Sequence, residues 1–322
     1  MEQLIQQLKV ILGTNFGLYF KAHSFHWNVE GPNFPQYHSF LNDFYDSVFD
    51  QTDGVDGVVV QGDTTSTFAG ALAGYYRQIP VAHVEAGLRT SSIYSPFPEE
   101  GHRRMISRIT TVHLCATEQN YETLLSEGTE RKQMHVVGNT VLDALAQTVE
   151  RQNIDITQSI PNTVLVTLHR RENFNTNMQS ALEAINYLTT VMKVDVHFPM
   201  HPNPNLRDLA SKTLMHNNHL HVSEPLGYVD FVKLMTQCRV ILTDSGGIQE
   251  EAPFLGRPVL VLRDDTERTE SLDTGSAELV GFDRELIIDR TVDLLDQPCI
   301  ERDYSYGDGQ AAQRICDILA RL

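Results

Sequence analysis

Cysteine, long apolar runs and basic charge are all scarce in this chain, and each scarcity excludes something. The four cysteines, Cys115, Cys238, Cys299 and Cys316, lie far apart and form no CxxC pair. That excludes a disulfide frame and a cysteine-based zinc site, and it implies reduced thiols in a cytoplasmic protein. No apolar run reaches membrane-spanning length, and the start, MEQLIQQLKV, lacks the basic opening and small-residue cleavage site of a signal peptide. No membrane partner is expected. Lys and Arg number 25 against 42 Asp and Glu, a net charge of −17. Nucleic acid is thereby excluded as a general partner, because phosphate backbones need a basic surface. A small anionic ligand would have to be held by a local cluster of Arg, His and backbone N–H groups against the field of the whole chain.

What remains is an ordinary globular composition: 322 residues, 41% hydrophobic and 21% charged, enough for about two domains. Residues 1–52 read as a helical hairpin. Leu4, Ile5, Leu8, Ile11 and Leu12 recur at helical spacing, Gly31-Pro32-Asn33 breaks the pattern, and Tyr37–Phe49 resumes it. From Val55 the texture changes. Short β-branched runs alternate with helical stretches: VDGVVVQGD, IPVAHVEAG, VHLCAT and MHVVGN in the first half, then TVLVTLH, DVHFPMHP, HLHVSEP, RVILTDS, PVLVLRD and AELVGFD. Such alternation implies an α/β class with parallel sheets covered on both faces. The polar stretch 153–162, with its proline, reads as a linker. The expected domains are 1–52, 53–155 and 156–322. Two such sheets, facing each other across a cleft, would hold ligand at their strand C-termini. The closing run YGDGQAAQRICDILARL reads as a helix capped near Asp308.

The polar residues cluster where strands end. Asp63 follows the first strand, Glu85 lies in HVEAGLRT after the second, and Glu99, Glu100 and Arg103 open a helix. In the second half His169 stands in HRREN, His201 in HPNP, and Arg268 in RDDTER. The segment RVILTDSGGIQEE carries the strongest local signal. A strand runs into Asp244 and Ser245, read as helix-cap types, then into Gly246, Gly247 and a helix start. Unpaired N–H groups and the helix dipole at such a turn suit phosphate. Glu250 and Glu251 follow, placed to take sugar hydroxyls. Asp63 could instead be only a cap for the threonine run, and His169 and His201 only core histidines. Glu100 and Glu250 read as solvent-facing residues or structural partners of their neighbours, and one of Arg170 and Arg171 as a surface residue.

Two resemblances follow from these residues. The stretch KAHSFHWNVEGPNFPQYHSFLNDFYDSVFD, Lys21–Asp50, resembles the opening of Dps-like miniferritins. That family binds iron between subunits, and its ligand positions match His26, His38 and Asp53 here, with Gly57 where a Glu is expected. A ferritin-like bundle needs four helices and this stretch supplies one and a half, so no metal site is expected. Beyond Val55, HVEAGLRT, SPFPEE, GNTVLDAL, HRRENF, HPNPNLR, LTDSGGIQEEAP, LGRPVLVLRDDTER and YGDGQA resemble the non-hydrolysing UDP-N-acetylglucosamine 2-epimerase family.

That resemblance implies a GT-B-like pair of Rossmann-like domains, a UDP-sugar substrate and no cofactor. It implies interconversion of UDP-N-acetylglucosamine and UDP-N-acetylmannosamine by eliminating UDP across C1–C2 and adding it back. Asp63, Glu85 and Glu99 are then the acid/base candidates, with His169 beside the departing phosphate. Ser245, Gly246 and Gly247 would hold the diphosphate with His201 and Arg268. Glu251 would take the ribose, Phe231 the uracil, and Arg103 would steady Glu99 or reach the ligand. The family's opening Gly-Thr-Arg-Pro-Glu turn has no counterpart here, so weakened or absent turnover is expected from a fusion of two unrelated pieces. Three other readings stay open: a hydrolysing epimerase, a non-catalytic nucleotide-sugar binder, and an iron-binding module in the first 52 residues. The sequence is also compatible with a homodimer.

Overall fold

The computed structural model describes residues 55–169 and 176–321. The expected hairpin, with His26, His38 and Asp53, and the Arg170–Asn173 stretch lie outside the described residues. All ten strand candidates form strands. The first sheet contains β1 (Val58–Gln61), β2 (Val81–Ala86), β3 (Val112–Cys115) and β4 (Met134–Val136) in that spatial order. The second contains β5 (Thr163–Thr167), β6 (Asp195–Pro199), β7 (Leu220–Ser223), β8 (Val240–Thr243), β9 (Val259–Val261) and β10 (Ala277–Leu279), ordered β10-β9-β8-β5-β6-β7. Every pairing is parallel. Eleven described α-helices connect them: α1 (Thr65–Tyr76), α2 (Glu99–Ile109), α3 (Glu118–Ser126), α4 (Thr140–Arg151), α5 (Thr176–Thr190), α6 (Pro204–Thr213), α7 (Tyr228–Gln237), α8 (Ile248–Phe254), α9 (Glu270–Asp273), α10 (Arg284–Asp296) and α11 (Ala311–Leu319).

The second sheet shows why the β-branched runs become strands. Successive side chains of a strand point to opposite faces, so a strand covered on both sides must be apolar throughout. Val164 and Val166 of β5, with Val240 and Leu242 of β8, join one buried cluster. Leu165 and Ile241 join the other, with Leu142 and Leu145 of α4 and Val232 of α7. In the first sheet Val58, Val60 and Val81 pack with Ala71 of α1 and Ile106 of α2.

Contacts divide the chain into two compact units, one ending at Val137 and one beginning at Gly138. The division falls ahead of α4, not in the polar 153–162 stretch. Helix α4 belongs to the second unit because its buried residues serve that unit. Leu142 and Leu145 enter the core of the second sheet. Asn139, which caps α4, donates its backbone N–H to the Tyr306 carbonyl at 2.7 Å.

Asp143 of α4 also corrects the expected cap of the last helix. Its carboxylate accepts from the N–H groups of Ala311 at 3.0 Å and Ala312 at 2.7 Å. Asp308 instead accepts from the Gln310 N–H at 3.2 Å and pairs with Arg314 at 2.8 Å. A cap supplied from far away in sequence leaves no local signal. Asp143→Ala orphans two helix-start donors, the one on Ala311 buried, so unfolding in urea should show a loss of about 1–3 kcal/mol. Asp143→Asn, which keeps an acceptor oxygen, should lose less.

Candidate active site

In the first unit the sequence brings three carboxylates to the C-terminal end of β1 and β2. Thr64 caps α1, its hydroxyl accepting from the Thr67 N–H at 3.2 Å. The cap is therefore not Asp63, whose carboxylate is left for Arg103, Nη1 to Oδ2 at 2.9 Å. His83 steadies the same turn, donating from Nε2 to the Gly62 carbonyl at 2.8 Å. Burial lowers His83 to about 4, so its ring is neutral at pH 7.

Glu85 is placed by backbone strain. It has φ 66°, left-handed for a residue with a side chain, at a break in register between Val84 and Ala86. Such conformations cost roughly 1–3 kcal/mol and persist only where surrounding structure enforces them. The enforcement is visible next door. Gly87 has φ +97°, and a Cβ there would lie 2.3 Å from the Asn120 carbonyl oxygen. The bulge turns the Glu85 carboxylate back toward β1, so that Oε2 lies 3.5 Å from where a Gly62 Cβ would be. Glu85 and Asp63 thus flank one short turn.

Glu99 opens α2, and its Oε2 is buried without a hydrogen-bond partner. Arg103 joins Asp63 to Glu100, so of the two expected roles, steadying Glu99 or reaching the ligand, the first is corrected: its carboxylate partners are not Glu99. Its Nη2 is buried and unpartnered. Glu100 is fully buried, a structural partner with no solvent-facing role. It accepts from Arg103 Nε at 3.0 Å, Arg104 Nε at 2.7 Å and the Thr90 N–H at 3.1 Å. A buried acceptor atom on Glu99 and a buried donor on Arg103, both unfilled, mark polar capacity that a ligand can satisfy.

In the second unit the strand order reverses between β5 and β8, a topological switch point where α/β sheets bind ligands. His169 follows β5 and Asp244 follows β8. Asp244 is fully buried and accepts from His169 Nδ1 at 2.8 Å and from its N–H at 3.1 Å. This corrects the reading of Asp244 as a helix cap: α8 begins at Ile248 with no side-chain cap. With Nδ1 held by a carboxylate, Nε2 is the outward atom of His169. The exposed ring of His201 lies 6.2 Å from it, centroid to centroid.

The glycine turn and Arg268 are in contact. A Cβ on Gly246 would lie 2.7 Å from Arg268 Nη1, closer than a side chain tolerates. Arg268 is aimed by two buried carboxylates, donating from Nε to Glu250 at 2.6 Å and pairing through Nη1 with Glu267. Asn139 donates to the other oxygen of Glu250 at 2.6 Å. Glu250 is therefore a structural partner buried to 1% exposure. The arrangement presents backbone N–H groups and a fixed guanidinium side by side, the donors a diphosphate needs.

Glu251 stands on the next turn with the Tyr228 hydroxyl donating to Oε1 at 3.1 Å. Burial raises its carboxyl to about 7, with the Tyr228 bond a smaller opposing effect. Phe231, one turn after Tyr228 on α7, is half-buried against the second unit's core. Sequence reasoning missed Asp244 as a histidine partner, Tyr228 and Asn139. Among the described residues no three His, Cys, Asp or Glu side chains gather as a metal site, and no helix is long and apolar enough to cross a membrane.

Parallel α/β units with an anion-gripping turn at a switch point and carboxylates at strand ends are an architecture of nucleotide-sugar proteins. The comparisons narrow this. The profile of the UDP-N-acetylglucosamine 2-epimerase family matches residues 40–320, so this chain belongs to that family. The match begins before Val55, where the resemblance read from motifs begins. The UDP-N-acetylglucosamine 2-epimerase of Bacillus subtilis (strain 168) is 43% identical over 273 residues, 82% of this chain and 72% of the relative. That of Escherichia coli (strain K12) is 40% identical over 282 residues, 82% and 75% of the two chains. The crystal structure of UDP-GlcNAc 2-epimerase from Neisseria meningitidis bound to UDP-GlcNAc aligns with TM-score 0.80 at 38% identity, covering 92% of this chain and 84% of that one. The Methanocaldococcus jannaschii enzyme in complex with UDP-GlcNAc and UDP aligns with TM-score 0.78 at 32% identity, covering 91% and 83%.

Proposed function

We propose that this chain interconverts UDP-N-acetylglucosamine and UDP-N-acetylmannosamine, without hydrolysis, by inverting C2 of the sugar. The observation that carries the reading is the switch-point constellation of the second unit. It sets a carboxylate-held His169 at the end of β5 and the Gly246–Arg268 contact just beyond β8. Those groups suit a departing diphosphate. Relatives at about 40% identity carry the epimerase name, and structural neighbours hold UDP-GlcNAc.

In the proposed reaction a carboxylate takes the C2 proton as the C1–O bond breaks, and the bond electrons leave with UDP. A C1–C2 double bond remains. Re-addition of UDP to C1, with a proton delivered to the opposite face of C2, gives the epimer. Asp63, Glu85 and Glu99 are the acid/base groups. Ser245, Gly246, Gly247, His201 and Arg268 hold the diphosphate, Glu251 the ribose, and Phe231 the uracil side.

The test is turnover of UDP-N-acetylglucosamine in deuterated water. Deuterium at C2 with the manno product and UDP retained in the sugar nucleotide is the expected result. Free UDP with free N-acetylmannosamine would assign the hydrolysing reaction instead. UDP binding with no exchange at C2 would reduce the chain to a binder. The experiment also tests the expectation of weakened turnover, through its rate beside the Bacillus subtilis relative.

A further inference from the structure

Resting on that reading of Glu251, we propose that Tyr228 is a positioning residue that sets the Glu251 carboxylate for a vicinal diol, so that α7 and α8 together select ribose over 2′-deoxyribose in the nucleotide.

Three observations carry it. Glu251 is 8% exposed, and among the described residues the one side chain hydrogen-bonded to its carboxylate is Tyr228, at Oε1. The other oxygen, Oε2, lies 3.7 Å from the position a Gly247 Cβ would take, beside the glycine turn rather than in solvent. No Lys, Arg or His pairs with Glu251 among the described residues, so nothing cationic competes with a ligand for it. The nearby charges are committed elsewhere. Glu250 and Glu267 hold Arg268, Asp244 holds His169, and Asp230 and Lys233 of α7 face each other at 3.8 Å.

A buried carboxylate with one oxygen tied and one free matches the donors of two adjacent hydroxyls. Tyr228 stands at the first position of α7, and Gly227 before it offers no side-chain cap. Its ring is half-exposed, yet its hydroxyl reaches Glu251 on a different helix. A phenol in that position fixes the carboxylate's rotamer and restrains its proton, two effects that one substitution can separate from packing.

The experiment is calorimetric binding of UDP-N-acetylglucosamine and its 2′-deoxyuridine analogue between pH 5.5 and 8.5. This diphosphate diester has no group of its own titrating there. Diol hydroxyls donate to the ionised carboxylate, so affinity rises with pH through the Glu251 midpoint near 7 and is level above it. One such group gives wild-type binding about tenfold weaker at pH 6 than at pH 8. Glu251→Gln should remove that component of the profile.

Tyr228→Phe removes the carboxylate's one donor. Its midpoint should move upward, and the preference for ribose should shrink by about tenfold, the size of one hydrogen bond to a charged group. Circular dichroism confirms that the variant is folded. A Tyr228→Phe variant that keeps both the wild-type midpoint and the wild-type ribose preference overturns this inference alone. Wild-type protein that binds neither nucleotide overturns the nucleotide-sugar reading itself.

Discussion

Glu85→Gln is expected to reduce C2 proton exchange by about 10³-fold while leaving UDP affinity unchanged. Positioned acid/base groups contribute roughly 10²–10⁴-fold, and an amide of the same shape can neither take nor return the proton. The prediction is sharp because the position is built by the backbone. A φ of 66° and the adjacent Gly87 bulge hold residue 85 where it is, whichever side chain it carries. The substitution therefore changes chemistry with little change in geometry. UDP is assigned to the second unit, so its calorimetric affinity reports whether folding and nucleotide binding survive. Exchange within threefold of wild type would remove Glu85 from the acid/base set. Asp63→Asn is a useful companion with a different signature. Asp63 accepts from Arg103 at 2.9 Å, so its loss also frees a guanidinium that is 1% exposed. A fall in stability should accompany the fall in exchange there.

Much of the fold was legible because its signals are local. Val164–Val166 and Val240–Leu242 are apolar at every position, as a strand covered on both faces requires. Helix starts carried real caps at Thr64, Thr117, Asn139 and Asn203. Site positions were legible for a related reason: polar residues immediately after a buried strand have little to do but face a ligand or cap a helix. What stayed hidden depends on which strands become neighbours. Asp244 looks like a cap in sequence. It orients a histidine only because β5 pairs with β8, which joins residues 75 positions apart. Tyr228 reaches Glu251 across 23 positions, and Asp143 caps a helix 168 positions away. Arg103 was read as steadying Glu99 or reaching the ligand, and its Glu100 and Asp63 contacts were not foreseen. Glu99 and Glu100 stand four and three residues before Arg103, both within reach on a helix, and the structure pairs Arg103 with Glu100.

Arg268→Ala should damage stability and binding together, and the two losses can be pulled apart. Arg268 is the cation between Glu250, 1% exposed, and Glu267, 3% exposed. Removing one partner of a buried ion pair leaves an uncompensated charge and costs about 3–5 kcal/mol, more than the pair itself contributes. Glu250 keeps Asn139 at 2.6 Å, and Glu267 keeps Arg263 at 2.9 Å, which offset part of that. Denaturant unfolding should therefore show a loss of several kcal/mol, and UDP binding should weaken by about 10²-fold from the lost charge-assisted bonds to phosphate. The double variant Glu250→Gln with Arg268→Ala separates the two. Neutralising Glu250 removes one stranded charge, so stability should recover in part. UDP affinity should stay low, because the guanidinium against the Gly246 turn is still missing. Recovery of both would mean that Arg268 serves only to neutralise its carboxylates and that the diphosphate is held by the turn alone.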